Sequence, residues 1–88
     1  MISKTYTILA PEGMHARPAT AMVKLAKPFQ SIIVLKYGDK SARLNSLLAI
    51  LSMGIKGGAT IVVEIDGADE DAVAMAFDTF FAANLKDW

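Results

Sequence analysis

The stretch SIIVLKYGDKSARL, residues 31–44, decides how the chain folds. Ser31 to Tyr37 is dense in β-branched and aromatic side chains that suit a pleated, half-buried surface, and it predicts a strand. Gly38-Asp39 is a turn pair and Lys40 to Leu44 a shorter strand, so the three pieces make a hairpin. Links this short make the sheet mainly antiparallel.

Upstream, Ser3 to Leu9 (SKTYTIL) reads as another strand, ended by the breaker cluster Ala10-Pro11-Glu12-Gly13. A loop carrying Met14 and His15 follows. From Ala16 to Lys27, Ala19, Met22, Val23 and Ala26 recur at helical spacing while Arg17, Lys24 and Lys27 take the opposite side, an amphipathic helix. Pro18 suits its first turn, where an N–H has no intrahelical partner, and Pro28 closes it. Downstream, Asn45 or Ser46 can cap a short helix, Leu47 to Met53, which Gly54 ends, and Gly57-Gly58 makes a turn. Thr60 to Asp66 is a fourth strand. After Gly67-Ala68, Asp69 caps a last helix with Glu70 and Asp71 in its first turn and Val73, Phe77, Phe80, Phe81 and Leu85 as core. The order β-α-β-β-α-β-α predicts an α+β open-faced sandwich, a four-stranded mainly antiparallel sheet with three helices on one face.

Composition bounds the function. The 88 residues suit one domain, 1–88, and 53% hydrophobic residues supply one modest core. No Cys and a single His exclude a disulfide framework, a thiolate nucleophile and a multi-histidine metal site, so neither metal nor cofactor is expected. The N-terminus lacks the basic start and apolar run of a signal peptide. The longest apolar stretches fall far short of the ~20 residues that span a bilayer, so a soluble cytoplasmic protein without membrane insertion is expected. Nine basic and nine acidic residues give no net drive toward nucleic acid. The charges are nonetheless segregated: residues 1–60 hold eight Lys/Arg and two acids, and the other 28 hold seven acids and only Lys86. The basic part can steer an acidic protein or bind a small anion.

His15 stands just before the first helix, beside the exposed amide groups of its first turn. Ala16 and Arg17 can offer backbone N–H donors, Pro18 cannot, and the Arg17 guanidinium adds a fork suited to phosphate oxygens. The positive end of a helix dipole favours an uncharged, nucleophilic imidazole, arranged to accept a phosphoryl group. The same position also suits an ordinary capping or exposed histidine in a small ligand-binding or regulatory module. Spacing alone leaves both open. The short helix is apolar at every position but Ser52. Ile50 and Met53 are expected to face the core, and Leu47, Leu48 and Leu51 to surround a partner-facing patch near His15. Arg17, Lys24, Lys27 and Lys56 would rim it and steer acidic partners.

The string Gly13-Met14-His15-Ala16-Arg17-Pro18-Ala19 resembles the phosphorylation-site signature of the HPr family, the histidine-containing phosphocarriers of the bacterial sugar phosphotransferase system. Leu44-Asn45-Ser46-Leu47-Leu48 with Ser52-Met53-Gly54 is similar to that family's regulatory serine segment, and Asp66-Gly67-Ala68-Asp69-Glu70 to its turn before the last helix. The resemblance covers nearly the whole chain and is weakest from Phe80 to Trp88. It implies a carrier and not an enzyme. On that resemblance, enzyme I, charged from phosphoenolpyruvate, would pass a phosphoryl group to Nδ1 of His15, Arg17 and the Ala16 N–H would stabilise it, and an enzyme IIA domain would remove it. Thr20, Lys24, Lys27, Leu47, Leu48, Leu51 and Lys56 are the implied partner-binding residues, on a chain working as a monomer. Ser46 is the implied regulatory site, met in one branch of the family by HPr kinase/phosphorylase and, once phosphorylated, by a catabolite-control transcription factor. Here the segment departs from its commonest form, with Asn45 where Lys is frequent and Leu47-Leu48-Ala49 where Ile-Met-Gly is frequent. A paralogue serving regulation in place of sugar uptake is the rival within the family.

Overall fold

The computed structural model describes residues 1–8 and 13–84. The elements run β1 (Ile2–Thr7), α1 (Ala16–Ala26), β2 (Ile32–Tyr37), β3 (Lys40–Arg43), α2 (Leu47–Leu51), β4 (Thr60–Asp66) and α3 (Glu70–Asn84). Leu9, the cluster 10–12 and Leu85, assigned above to a strand end, a breaker and the core, lie outside the described residues. The four strands form one sheet in the order β1-β4-β2-β3, and all three neighbouring pairs are antiparallel. This is the expected open-faced architecture.

The hairpin closes with Tyr37 opposite Lys40. Gly38 has φ +61 and Asp39 a negative φ, the pattern of a two-residue turn with glycine at its first central position. The burial period of two then sorts the strands: Ile33, Leu35, Ile61, Val63 and Ile65 face inward, while Lys36, Thr60 and Asp66 stay exposed. Against the inner face pack Ala19, Met22 and Ala26 of α1, Ile50 of α2, and Val73, Phe77, Phe80 and Phe81 of α3. Val23, expected in the core, is only half-buried at the margin of this cluster.

Two polar clasps tie α3 to the sheet. Tyr6 on β1 stacks on Phe81 with centroids 4.1 Å apart and donates its hydroxyl to Asp78 at 2.7 Å, while Lys4 pairs with the same carboxylate at 3.1 Å. Those two partners hold the Asp78 carboxyl below its usual range, and burial raises the Tyr6 phenol above its own. The second clasp differs from the sequence reading. Asp69 stands just before α3 as predicted, but its carboxylate reaches across to the loop before β2, accepting from Gln30 N at 2.8 Å, Ser31 N at 2.9 Å and the Ser31 hydroxyl. These donors, the Ser31 hydroxyl first, hold the Asp69 carboxyl below its ordinary value. At the same turn Glu70 accepts from Gly67 N at 3.3 Å and pairs with the Met1 ammonium at 2.9 Å.

A carboxyl whose pKa is lower folded than unfolded contributes stability above its unfolded value. That stability is lost as pH falls through the folded one. Thermal melts should therefore show stability falling below about pH 4. Asp69→Asn should be less stable than the wild type at pH 7, with the gap closing in acid; a gap of constant size across that range would show that the Asp69 charge is not what these donors stabilise.

Candidate functional site

The head of α1 is fixed by backbone geometry two residues upstream. Gly13 has φ +74, in the left-handed region, and a Cβ built there would lie 2.2 Å from the Ile55 carbonyl oxygen and 2.7 Å from Lys56 Cα. Only glycine lets the two segments touch. Met14 is buried and donates its N–H to Ile55 O at 3.0 Å, locking the loop to the turn after α2. His15 follows in extended conformation, φ −84 and ψ −173, at the N-cap of α1, and its carbonyl accepts the first helical bond from Ala19 N at 3.1 Å. Its side chain does not cap the helix. The imidazole is thus half-exposed at the end of a helix where Ala16 and Arg17, both exposed, precede any i−4 helical acceptor for their N–H groups. Ala16, Arg17, Thr20, Ala21 and Lys24 line a shallow, open hollow along this face.

Arg17 and Lys24 lie two turns apart on one side of α1, since seven residues nearly complete two turns. Lys27 does not join them. It is the C-cap of α1, about 18 Å along the axis from His15 and about 80° around from Arg17, and it lines a different groove. Lys56 is exposed, and its backbone lies against Gly13, which brings it to the His15 end.

Helix α2 packs beside α1. Ser46 caps it from an extended conformation, its hydroxyl accepting from Ala49 N at 3.3 Å. The helix stops two residues before the expected Met53, because Met53 N turns back to Ile50 O at 3.2 Å and Gly54 adopts φ +66. Lys40, from the hairpin, donates its ammonium to the Met53 carbonyl at 3.2 Å, a C-terminal partner that no local pattern could reveal. Ile50 and Met53 are buried as expected. The three leucines divide: Leu48 is 78% exposed, whereas Leu47 and Leu51 are half-buried against the core. The outward apolar character of α2 therefore rests on Leu48. Among the described residues no three His, Asp or Glu side chains converge in a way that could hold a metal ion, and no helix is long and apolar enough to cross a membrane.

Sequence order, sheet order and the histidine at the head of α1 together define an HPr-type open-faced sandwich, and solved structures share it closely. The histidine-containing phosphocarrier protein of Mycoplasma matches with a TM-score of 0.88 and 32% identity over 96% of this chain and 97% of that one. HPr-C-His from Thermoanaerobacter tengcongensis matches at 0.88 and 29% identity over 94% and 93%. A structure of an HPr dimer from the same organism matches at 0.74 and 28% identity over 97% and 98%. The family described as the PTS HPr component phosphorylation site matches residues 2–83. The chain belongs to this HPr family of phosphotransferase-system phosphocarriers.

Proposed function

We propose that the protein takes a phosphoryl group from phospho-enzyme I onto Nδ1 of His15 and passes it to enzyme IIA domains of sugar permeases in the cytoplasm. The observation that carries this reading is the placement of the chain's single histidine, half-exposed at the N-terminus of α1 and held there by the contact of Gly13 and Met14 with Ile55. In each transfer a nitrogen–phosphorus bond forms on the receiving histidine as the bond to the donor breaks. Such transfer needs positioning and charge stabilisation above all. Arg17 balances the phosphoryl oxygens and the Ala16 N–H points at them from the helix terminus. A shallow site suits a group that two proteins reach in turn, and Leu48 with Thr20, Lys24 and Lys56 gives them a small mixed apolar and basic face. Leu47 and Leu51, half-buried against the core, add only their exposed edges to this face, and Lys27 reaches only a partner that extends along all of α1. The chain acts as a monomer, leaving this face open. Incubation with phosphoenolpyruvate and catalytic enzyme I should release one pyruvate per chain; no release above the enzyme I blank would overturn the proposal.

Ser46 is the proposed regulatory site, for an HPr kinase/phosphorylase and a catabolite-control transcription factor. A phosphate there adds about −1.5 to −2 charge beside α2 in the face that meets an acidic partner. Ser46→Asp should slow transfer from enzyme I about fivefold or more. Ser46→Ala removes the cap and should cost about 1 kcal/mol of stability with little change in that rate. Equal rates in the two variants would remove the electrostatic brake.

A further inference from the structure

The turn that leaves α2 is the platform on which the His15 loop rests. The Ile55 carbonyl accepts from Met14 N at 3.0 Å, and Gly13 lies close against Ile55 and Lys56. The side chains of Met53 and Ile55 are buried, which fixes the path of the turn. Burial does not fix the peptide plane between them. Gly54, at φ +66 with open space where a Cβ would lie, accepts more than one orientation of its peptides at little cost. Its own N–H reaches the Leu51 carbonyl only at 3.4 Å. The partner that aims this peptide comes from the hairpin. Lys40 stands opposite Tyr37, in the same register that sets Ala42 opposite the buried Leu35, so its side chain starts from the face the helices cover. Its ammonium donates to the Met53 carbonyl at 3.2 Å, a charge-assisted bond stronger than one between neutral groups. Among the described residues Lys40 pairs with no carboxylate, whereas Lys4 and Lys36 each do.

We infer that Lys40 is a positioning residue for phosphoryl transfer at His15, an inference that rests on the carrier reading of that histidine. It acts through the backbone. The ammonium holds the Met53 carbonyl, the peptide so fixed aims the Ile55 carbonyl at Met14 N, and Met14 sets the direction in which His15 leaves the loop. Only Gly54 separates Met53 from Ile55, so a rotation released at one carbonyl is passed to the other. Transfer between two proteins depends on the alignment of the attacking nitrogen, and a small misplacement of the imidazole lowers the rate without weakening the encounter. Lys40 thus differs in role from Arg17, Lys24 and Lys56, whose charges meet the phosphoryl group or the partner.

The test compares the wild type with Lys40→Met, which keeps an apolar stem and removes the ammonium, and with Lys40→Arg, which keeps a cationic donor. Each protein is mixed rapidly with pre-phosphorylated enzyme I over a range of concentrations, which gives a maximal transfer rate and a half-saturating concentration. Amide shifts of the ¹⁵N-labelled proteins are recorded beside it. Lys40→Met should lower the maximal rate about fivefold, the effect of one partly exposed charged hydrogen bond, with the half-saturating concentration changed less than about twofold. Its Met14 amide proton should move upfield, as a weakened hydrogen bond to Ile55 requires, while that of Val63 in β4 stays in place. Lys40→Arg should restore both the rate and the Met14 shift. A higher half-saturating concentration at an unchanged maximal rate would make Lys40 a partner contact and overturn the assignment. A lower melting temperature with rate and Met14 shift unchanged would overturn it too, leaving only a stabilising bond. A wild type that accepts no phosphoryl group would refute the carrier reading and this role together, so the two failures are told apart by the wild type alone.

Discussion

Gly13→Ala should lower the melting temperature by about 12–24 °C, more than Gly38→Ala at the hairpin turn. Two costs add. An alanine in the left-handed region loses about 1–2 kcal/mol, and its Cβ would sit 2.2 Å from a backbone oxygen of Ile55 that no side-chain rotation can move aside. Together they come to about 3 kcal/mol, and each kcal/mol is worth about 4–8 °C in a chain of this size. Gly38→Ala separates the two costs. Gly38 also has φ +61, but nothing lies within 4 Å of where its Cβ would be, so only the conformational cost remains. If the Gly13 variant melted no lower than the Gly38 variant, the loop at 13–14 would be free to leave Ile55, and His15 would not be held as described. Relief of the clash in the folded variant moves that loop, so the surviving Gly13→Ala protein should also accept phosphoryl groups more slowly.

His15→Ala should abolish phosphoryl acceptance, by about a thousandfold or more, since the group being removed is the proposed nucleophile itself. The fold should stay intact. The imidazole is half-exposed and does not cap α1, so its loss should move stability within about 0.5 kcal/mol and the melting temperature by no more than about 4 °C. A variant that unfolds would assign the histidine a structural role, and a folded variant that still accepts the group would move the acceptor elsewhere.

The element order is legible because each element carries a local signal: a stretch rich in β-branched residues between two glycine turns gives β4 its bounds, Thr60–Asp66. The pairing order β1-β4-β2-β3 is not, since alternation tells which face of a strand is buried but not which strand lies beside it. Asp69 shows the same limit in a side chain. An acid before a helix reads as a cap, and only the tertiary fold brings Gln30 and Ser31 within its reach. At the site, His15 and Arg17 stood out from their spacing and their likeness to a known signature. The reason for Gly13 lies 42 residues away in the Ile55 carbonyl, and the anchor for the end of α2 lies in the hairpin at Lys40. Lys24 and Lys27 looked equivalent along the helix, yet ten residues from Arg17 is not a whole number of turns, and Lys27 rotates onto another groove.

The central claim is tested most directly by intact mass. The purified protein is incubated with phosphoenolpyruvate and enzyme I, and its mass is recorded before and after mild acid, with His15→Ala treated in parallel. The expected result is the gain of one phosphoryl group that acid removes and that the variant never acquires. No gain with a competent enzyme I, or an equal gain on the variant, would contradict it.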